Sequence, residues 1–303
     1  MKKHAKIFWI GNLVLAVLAA ALLGICLHLS GTLESQKAAE RWAGEGETRF
    51  AQFSCYLKEG EGLSLEDIYT FRMTLEEKLL QASIEVAPAA DTEGKEGEKT
   101  PAVSNASTYV DAWSTSGEQT VRGDHGSSKA HVTAVGGEYF FFHPLRLLSG
   151  SYISEDDLME DRVVLDEDLA WRLFGGTELE GMTVTINGLP YFVAGVVERE
   201  QDFATDKAYD LEAGMYMSYA AYSRLTEASI DCYEIVLPQP VDGFAEGLLK
   251  DNFKIGGGEI INNTGRFSLG SLWGILRDFG TRSMHRTSVI YPYWENAARY
   301  LED

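Results

Sequence analysis

Residues 7–29, IFWIGNLVLAVLAAALLGICLHL, contain no charged side chain. A helix rising about 1.5 Å per residue over this length crosses a hydrocarbon core about 30 Å thick. In lipid the backbone must satisfy its own polar groups, so the run has few folds open to it other than a helix. It is expected to be an uncleaved transmembrane anchor. A cleaved signal peptide also begins with a basic region, but its apolar stretch is usually about 7–15 residues and ends in an A-x-A-like site. This run is longer and passes into HLSGTLES. A lipoprotein signal fits poorly, because Ile25 precedes Cys26 and apolar sequence continues past it. Lys2, Lys3 and Lys6, with no acidic neighbour, predict a cytoplasmic N-terminus and an extracytoplasmic location from about Ser30 onward.

The chain has a formal net charge of −20, and since residues 1–29 contribute +3, the remainder carries −23. So acidic an ectodomain is repelled by nucleic acid and by anionic headgroups, and solubility is the simplest account of it. With 45% apolar and 24% charged side chains, the 303 residues can bury a full core of one or two compact domains. Of the three cysteines, Cys26 lies in the anchor. Cys55 and Cys232 are then the only possible ectodomain pair, and the sequence leaves their pairing open.

Beyond the anchor, SGTLESQKAAERWAGEGETRFAQFSCYLKE is expected to continue helically before an early strand. Residues 64–83 form a helix, with Ser64 and Asp67 as a capping box and Ile68, Phe71, Leu75 and Leu79 as one apolar stripe. IEVAP reads as a short strand, and the Gly-, Pro- and charge-rich residues 87–107 as a mobile surface insertion. TYVDAW and KAHVTAVG are strands separated by a loop or loose hairpin. In GGEYFFFHPLRLLSGSYISEDD the chain turns at His143-Pro144, and Ser154 caps a helical turn through Asp157.

Residues 163–198 spell a strand, a helix and a hairpin. VVL is a buried strand; DEDLAWRLF is a short helix ended by Gly175 or Gly176; Asn187-Gly188 makes a two-residue turn between MTVTIN and PYFVAGVV. GMYMSYAAYSRLT reads as a strand entering a helix, DCYEIVLP as a strand, VDGFAEGLLKDNF as a helix and GEIINNTGRF as a strand with its exit. SLGSLWGILRDFG, apolar at 269, 272, 276 and 279, is too short to span a bilayer but suits packing or lying at an interface. YPYWENAARYLED closes with an amphipathic turn or two.

Chemistry is hard to find in this chain. It has no G-x-x-x-x-G-K-[ST], no G-x-G-x-x-G after a strand, no H-E-x-x-H and no C-x-x-C. Gly256-Gly257-Gly258 lacks the lysine and following helix of a phosphate cradle and reads as a loop. His125 and His131 have no third ligand at zinc-like spacing. The carboxylates Glu155-Asp156-Asp157 and Asp166-Glu167-Asp168 sit at helix starts, where capping accounts for them without catalysis or calcium binding. Ser271 is not in a G-x-S-x-G elbow. Arg122-Gly123-Asp124 is a chance match to an adhesion tripeptide, and Tyr139 to Phe142 reads as core. No catalytic, cofactor or metal residue is assigned.

Several motifs in order over residues 137–198 carry a resemblance. They are Tyr139-Phe140, Leu147 to Gly150 before an acidic turn, an apolar strand with a helix ending in Leu173-Phe174, then Gly181 to Gly188 and a strand containing Gly195. In this the chain resembles the MacB-like periplasmic core domain of FtsX-like ABC transporter permeases. The resemblance implies an α+β fold: an N-terminal transmembrane helix (residues 1–29 with its basic start), then a two-lobed mixed α/β extracytoplasmic domain over 30–266. That domain has a porter-like βαβ lobe and a smaller inserted strand-helix-hairpin lobe at about 137–212. Residues 267–303 would be an amphipathic stalk leading toward a second span, which such permeases follow with others and which is not among these residues. Such permeases work with a separate or fused ATPase, and with no catalytic or Walker motif among these residues the expectation is no enzymatic activity in this chain and an ABC ATPase subunit as a separate chain. Homo- or heterodimers of permeases, and a mechanical output to substrate export or to an extracytoplasmic envelope protein, are also implied. A single-pass binding or sensory module without an ATPase is the alternative.

Overall fold

The computed structural model describes residues 2–46, 48–58, 60–82, 108–200, 202–208, 213–282 and 291–303. The strand expected in IEVAP and the insertion expected at 87–107 lie outside the described residues. Helix α1 (Lys2–Ser30) is, among the described residues, the one helix long and apolar enough to cross a membrane, over Trp9–Ser30. Lys2, Lys3 and Lys6 lie in its first turns, their side chains outside the described residues.

Among the described residues ten strands make one sheet. They are β1 (Phe50–Tyr56), β2 (Val110–Gly123), β3 (Gly126–Gly137), β4 (Leu147–Gly150), β5 (Arg162–Asp166), β6 (Thr183–Ile186), β7 (Leu189–Val197), β8 (Gly214–Ser218), β9 (Cys232–Pro238) and β10 (Glu259–Asn262). Their order is β10-β1-β9-β2-β3-β8-β5-β7-β4, with β6 joining β2 to β7. Strand β9, buried at every position, reads as an apolar run because it sits between β1 and β2 with both faces covered.

One face carries α3 (Leu65–Gln81), α5 (Glu167–Phe174), α7 (Tyr219–Leu225) and α8 (Phe244–Asn252) over a core including Phe53, Leu75, Val132, Leu165, Met215 and Tyr233. The other face carries α2 (Ala38–Ala43), α4 (Tyr139–Phe142) and α10 (Tyr293–Glu302) over Val110, Val164, Tyr216 and Val236. Two further helices are α6 (Phe203–Ala208) and α9 (Leu269–Arg282).

Local chemistry fixes the helix ends. Ser64 Oγ accepts from Asp67 N while Asp67 Oδ2 accepts from Ser64 N at 3.0 Å, which completes the capping box of α3. Asp166 Oδ1 accepts from Leu169 N at 2.7 Å at the start of α5, and Gly175 ends that helix in the left-handed region at φ 76°. Asn187 and Gly188 both have positive φ, 50° and 82°, the turn that the twist of a two-residue hairpin requires. The turn through Asp157 is a single one, with Asp157 N donating to Ser154 O at 3.2 Å.

Of the loop or loose hairpin expected between TYVDAW and KAHVTAVG, the structure has the hairpin, and a regular one. β2 and β3 pair without a break as far as Gly123 and Gly126. Beyond the Gly117–Val132 pair this arm buries only Val121 and Ala130 and leaves the other side chains exposed or half-exposed, so its apolar alternation is too sparse to announce a strand. The closing helix α10 spans ten residues, longer than the turn or two expected.

Cys55 and Cys232 do not pair. In the β1–β9 register Cys55 faces Tyr233 and Cys232 faces Tyr56. The two thiols therefore belong to opposite faces of the sheet, one in each core, and both are free.

Candidate functional site

The chain leaving α1 is caught within a few residues. Gly31 N and Thr32 N donate to Leu27 O and Leu29 O at 3.2 and 3.0 Å, closing the last turn. Lys37 Nζ donates to Gly31 O at 2.5 Å and pairs with Glu34 at 2.8 Å across the 3-10 turn Glu34–Gln36. Gln52, fully buried on β1, grips both sides of that turn. Its Nε2 donates to Ser35 O at 2.7 Å, and its Oε1 accepts from Ala38 N at 2.9 Å. An amide is the side chain that can donate and accept at once, which explains a glutamine in an otherwise apolar stretch. Arg41 on α2 donates to Glu34 O and to Phe141 O, each at 2.7 Å, and so ties the exit to α4.

Beside this exit lies a buried ionic network. Arg266 forks onto Glu295 at 2.7 and 2.9 Å and reaches Glu302 at 2.6 Å. Its Nη1 lies 3.5 Å from Gln36 Oε1 in the exit turn. Arg299 donates to Glu295 at 2.7 Å and to Glu259 at 3.0 Å, and lies over the Tyr291 ring at 3.9 Å. Leu33 packs against Ala297 and Ala298, whose small side chains let α10 lie close to the exit of α1. Burial pushes the Glu295 carboxyl up, but Arg266 and Arg299 outweigh it and hold the group below its ordinary value. Burial works against the Arg266 charge too, and Glu295 and Glu302 more than offset it.

A second buried cluster adjoins the first. His143 Nε2 lies 2.5 Å from Glu234 Oε2, and Glu234 Oε1 accepts from Ser54 Oγ at 2.9 Å. Asn263 Nδ2 donates to Ser54 Oγ at 2.8 Å. The imidazole is sandwiched between Tyr139 and Trp294, with centroids at 4.5 and 4.2 Å. Glu200 nearby is raised to about 7, chiefly by burial with Asp202 adding, while His143 and a hydrogen bond with Tyr293 pull it back.

Taken with the exit turn, these groups form a dense polar weld between α1, α10 and the sheet. The carboxylates of Glu295 and Glu234 are engaged by arginine or histidine and by hydroxyl donors, which suits a rigid joint better than proton transfer. Among the described residues no group of three or more His, Cys, Asp or Glu side chains is placed to hold a metal ion.

Residues 60–243, more than half of the chain, match the family described as MacB-like periplasmic core domain. The chain belongs to that family. A MacB-like periplasmic core domain is a transporter permease domain and not a catalytic enzyme fold. Two relatives are macrolide export ATP-binding/permease proteins MacB. The one from Aggregatibacter actinomycetemcomitans is 34% identical over 83 residues, 27% of this chain and 13% of the relative. The one from Chromobacterium violaceum is 32% identical over 123 residues, 39% of this chain and 18% of the relative. The chain thus spans less than a fifth of the length of either. Among solved structures, the periplasmic region of MacB from Actinobacillus actinomycetemcomitans has a TM-score of 0.45 at 18% identity, covering 75% of this chain and 94% of that one. The extracellular domain of the noncanonic ABC-type transporter YknZ from Gram-positive bacteria has a TM-score of 0.44 at 16% identity, covering 71% and 100%.

The MacB-like motif residues fall at three places. Tyr139 and Phe140 are buried on α4, and Tyr139 meets Trp294 of α10 at 5.9 Å, next to the weld. Gly150 and Gly195 are paired across β4 and β7, where an added Cβ on Gly150 would come within 2.1 Å of Ala194 O. Leu173 and Phe174 end α5 against Gly123 near the tip of the β2–β3 hairpin, while Gly181 and Gly188 turn the chain on either side of β6. The structure therefore brings only the Tyr139 pair to the weld.

Gln52, Arg266, Glu295, Arg299 and Glu302 were not legible as a site. One signal was available: Glu295, Arg299 and Glu302 recur at helical spacing in a segment whose small Ala297-Ala298 pair marks a packed face.

Proposed function

We propose that this chain is the anchor and extracytoplasmic domain of an ABC transporter permease, and that the weld passes movement of α1 to the sheet. In this reading the N-terminus lies in the cytoplasm and an ATPase in a separate chain drives the cycle. Two permease chains work as a dimer, and the output outside is substrate export or control of an envelope protein. Residues 30–266 form the moving body, with 137–212 as its inserted lobe and 267–303 as its stalk. The observation that carries the reading is the short, doubly gripped exit of α1. Gln52 and Arg266 reach it within six residues of Ser30, so a shift of the helix has no slack in which to dissipate. Membership of the family supports it.

The test is purification of the full chain from its native membrane, followed by insertion of a Gly-Gly pair between Ser30 and Gly31. The expected result is a co-purifying ATP-hydrolysing chain that stays bound to the insertion variant. Nucleotide should then change amide exchange in β1 and β9 of the parent protein but not of the variant. A monomer without any such partner would overturn the proposal.

A further inference from the structure

Helix α9 leaves two large apolar side chains in solvent, Trp273 at 76% and Leu276 at 68% exposure. They lie three residues apart and so share one side of the helix. An exposed pair like this is costly in water and calls for a covering surface. Where α9 starts decides which surface that is. Arg266, three residues before the helix, reaches Gln36 in the exit turn of α1, and Phe267, two residues before it, packs into the cluster of Leu33, Ala297 and Ala298. Leu33 itself follows the apolar span ending at Ser30 by three residues. The first residues of α9 are therefore at the level where α1 leaves the bilayer.

Charge agrees with position. The ectodomain carries −23, yet α9, with Arg277, Asp278 and Arg282, is net +1 and has no other ionisable side chain. A helix of 14 residues with apolar residues at 269, 272, 276 and 279 is too short to cross a membrane, but it is suited to lying in the interface plane. Tryptophan is the side chain that favours that depth, its ring apolar and its N–H able to meet headgroups and water.

We propose that α9 lies on the outer surface of the bilayer, with Trp273 and Leu276 inserted at the level of the headgroups. This rests on α1 spanning the same bilayer. In that arrangement the domain stands on two supports: the span itself, and a paddle that fixes its tilt relative to the membrane plane.

The tryptophans supply the test. The full chain is reconstituted into phosphatidylcholine vesicles brominated either close to the headgroup or deep in the acyl chain, and fluorescence quenching is compared for the parent, Trp273→Phe and Trp9→Phe. Trp9 lies within the span and reports whether α1 is inserted. The expected result is that Trp273→Phe removes a component quenched at least about twice as strongly by shallow as by deep bromine, matching an interfacial depth. Quenching of the Trp9 component without any from Trp273 would overturn the proposal and leave the anchor intact. Loss of both components would overturn the anchor and this inference with it.

Discussion

Glu295 faces two guanidinium groups in a place that water does not reach, and removing it leaves both without their main counter-charge. Breaking a buried ion pair from one side costs about 3–5 kcal/mol. Glu295→Gln keeps the shape and is expected to lose at least about 3 kcal/mol in chemical denaturation at neutral pH. Because its carboxyl is held below its ordinary value of 4.5, this contribution is present above that pH and is lost as pH falls through the folded value. The gap between parent and variant should therefore close in acid. Glu200 has the opposite sign. Its folded value, about 7, lies above its ordinary 4.5, so the unfolded chain gives up the proton first and stability falls as pH rises between the two. Glu200→Gln should flatten that slope and be the more stable protein above pH 7, read from unfolding midpoints across the range. Neither role was visible in the sequence: Glu200 sits in VEREQD and looks like any solvated charge, since burial by distant segments leaves no local trace.

The elements were far more legible than the residues that join them. Periodicity and caps gave α3, α5 and the β6–β7 hairpin directly, because each is specified by its own neighbours in sequence. The β2–β3 arm was legible at its base and only as one of two alternatives beyond it, since its outer part is held by cross-strand pairing with little apolar alternation. Glycines divide in the same way. Gly181 has φ 79° with open space around it, so Gly181→Ala should cost only the left-handed penalty of about 1–2 kcal/mol. Gly150 has φ 73° and also lies against the backbone of β7. Gly150→Ala should add an overpacking cost of roughly 1–3 kcal/mol to the same penalty. Thermal unfolding of the two variants ranks them, and equal losses would mean that β4 is free to move away from β7.

For the whole molecule, the decisive features are a single sheet running from β10 to β4 and an anchor joined to it by the weld at one end. Charge and hydropathy located the anchor from sequence alone, whereas the weld assembles from residues 31–41, 52, 54, 143, 234, 259–267 and 291–302 and exists only once the chain has folded. The cysteines add a practical consequence. Cys55 and Cys232 are completely enclosed on opposite faces of the sheet, and burial raises both thiols well above their ordinary value. Cys26 is not enclosed by protein and lies within the apolar span, four residues before the end of α1. The unaltered protein thus comes with one thiol outside its folded core and within the apolar span, where a lipid-soluble spin label or fluorophore could report on the end of α1 without any engineered substitution.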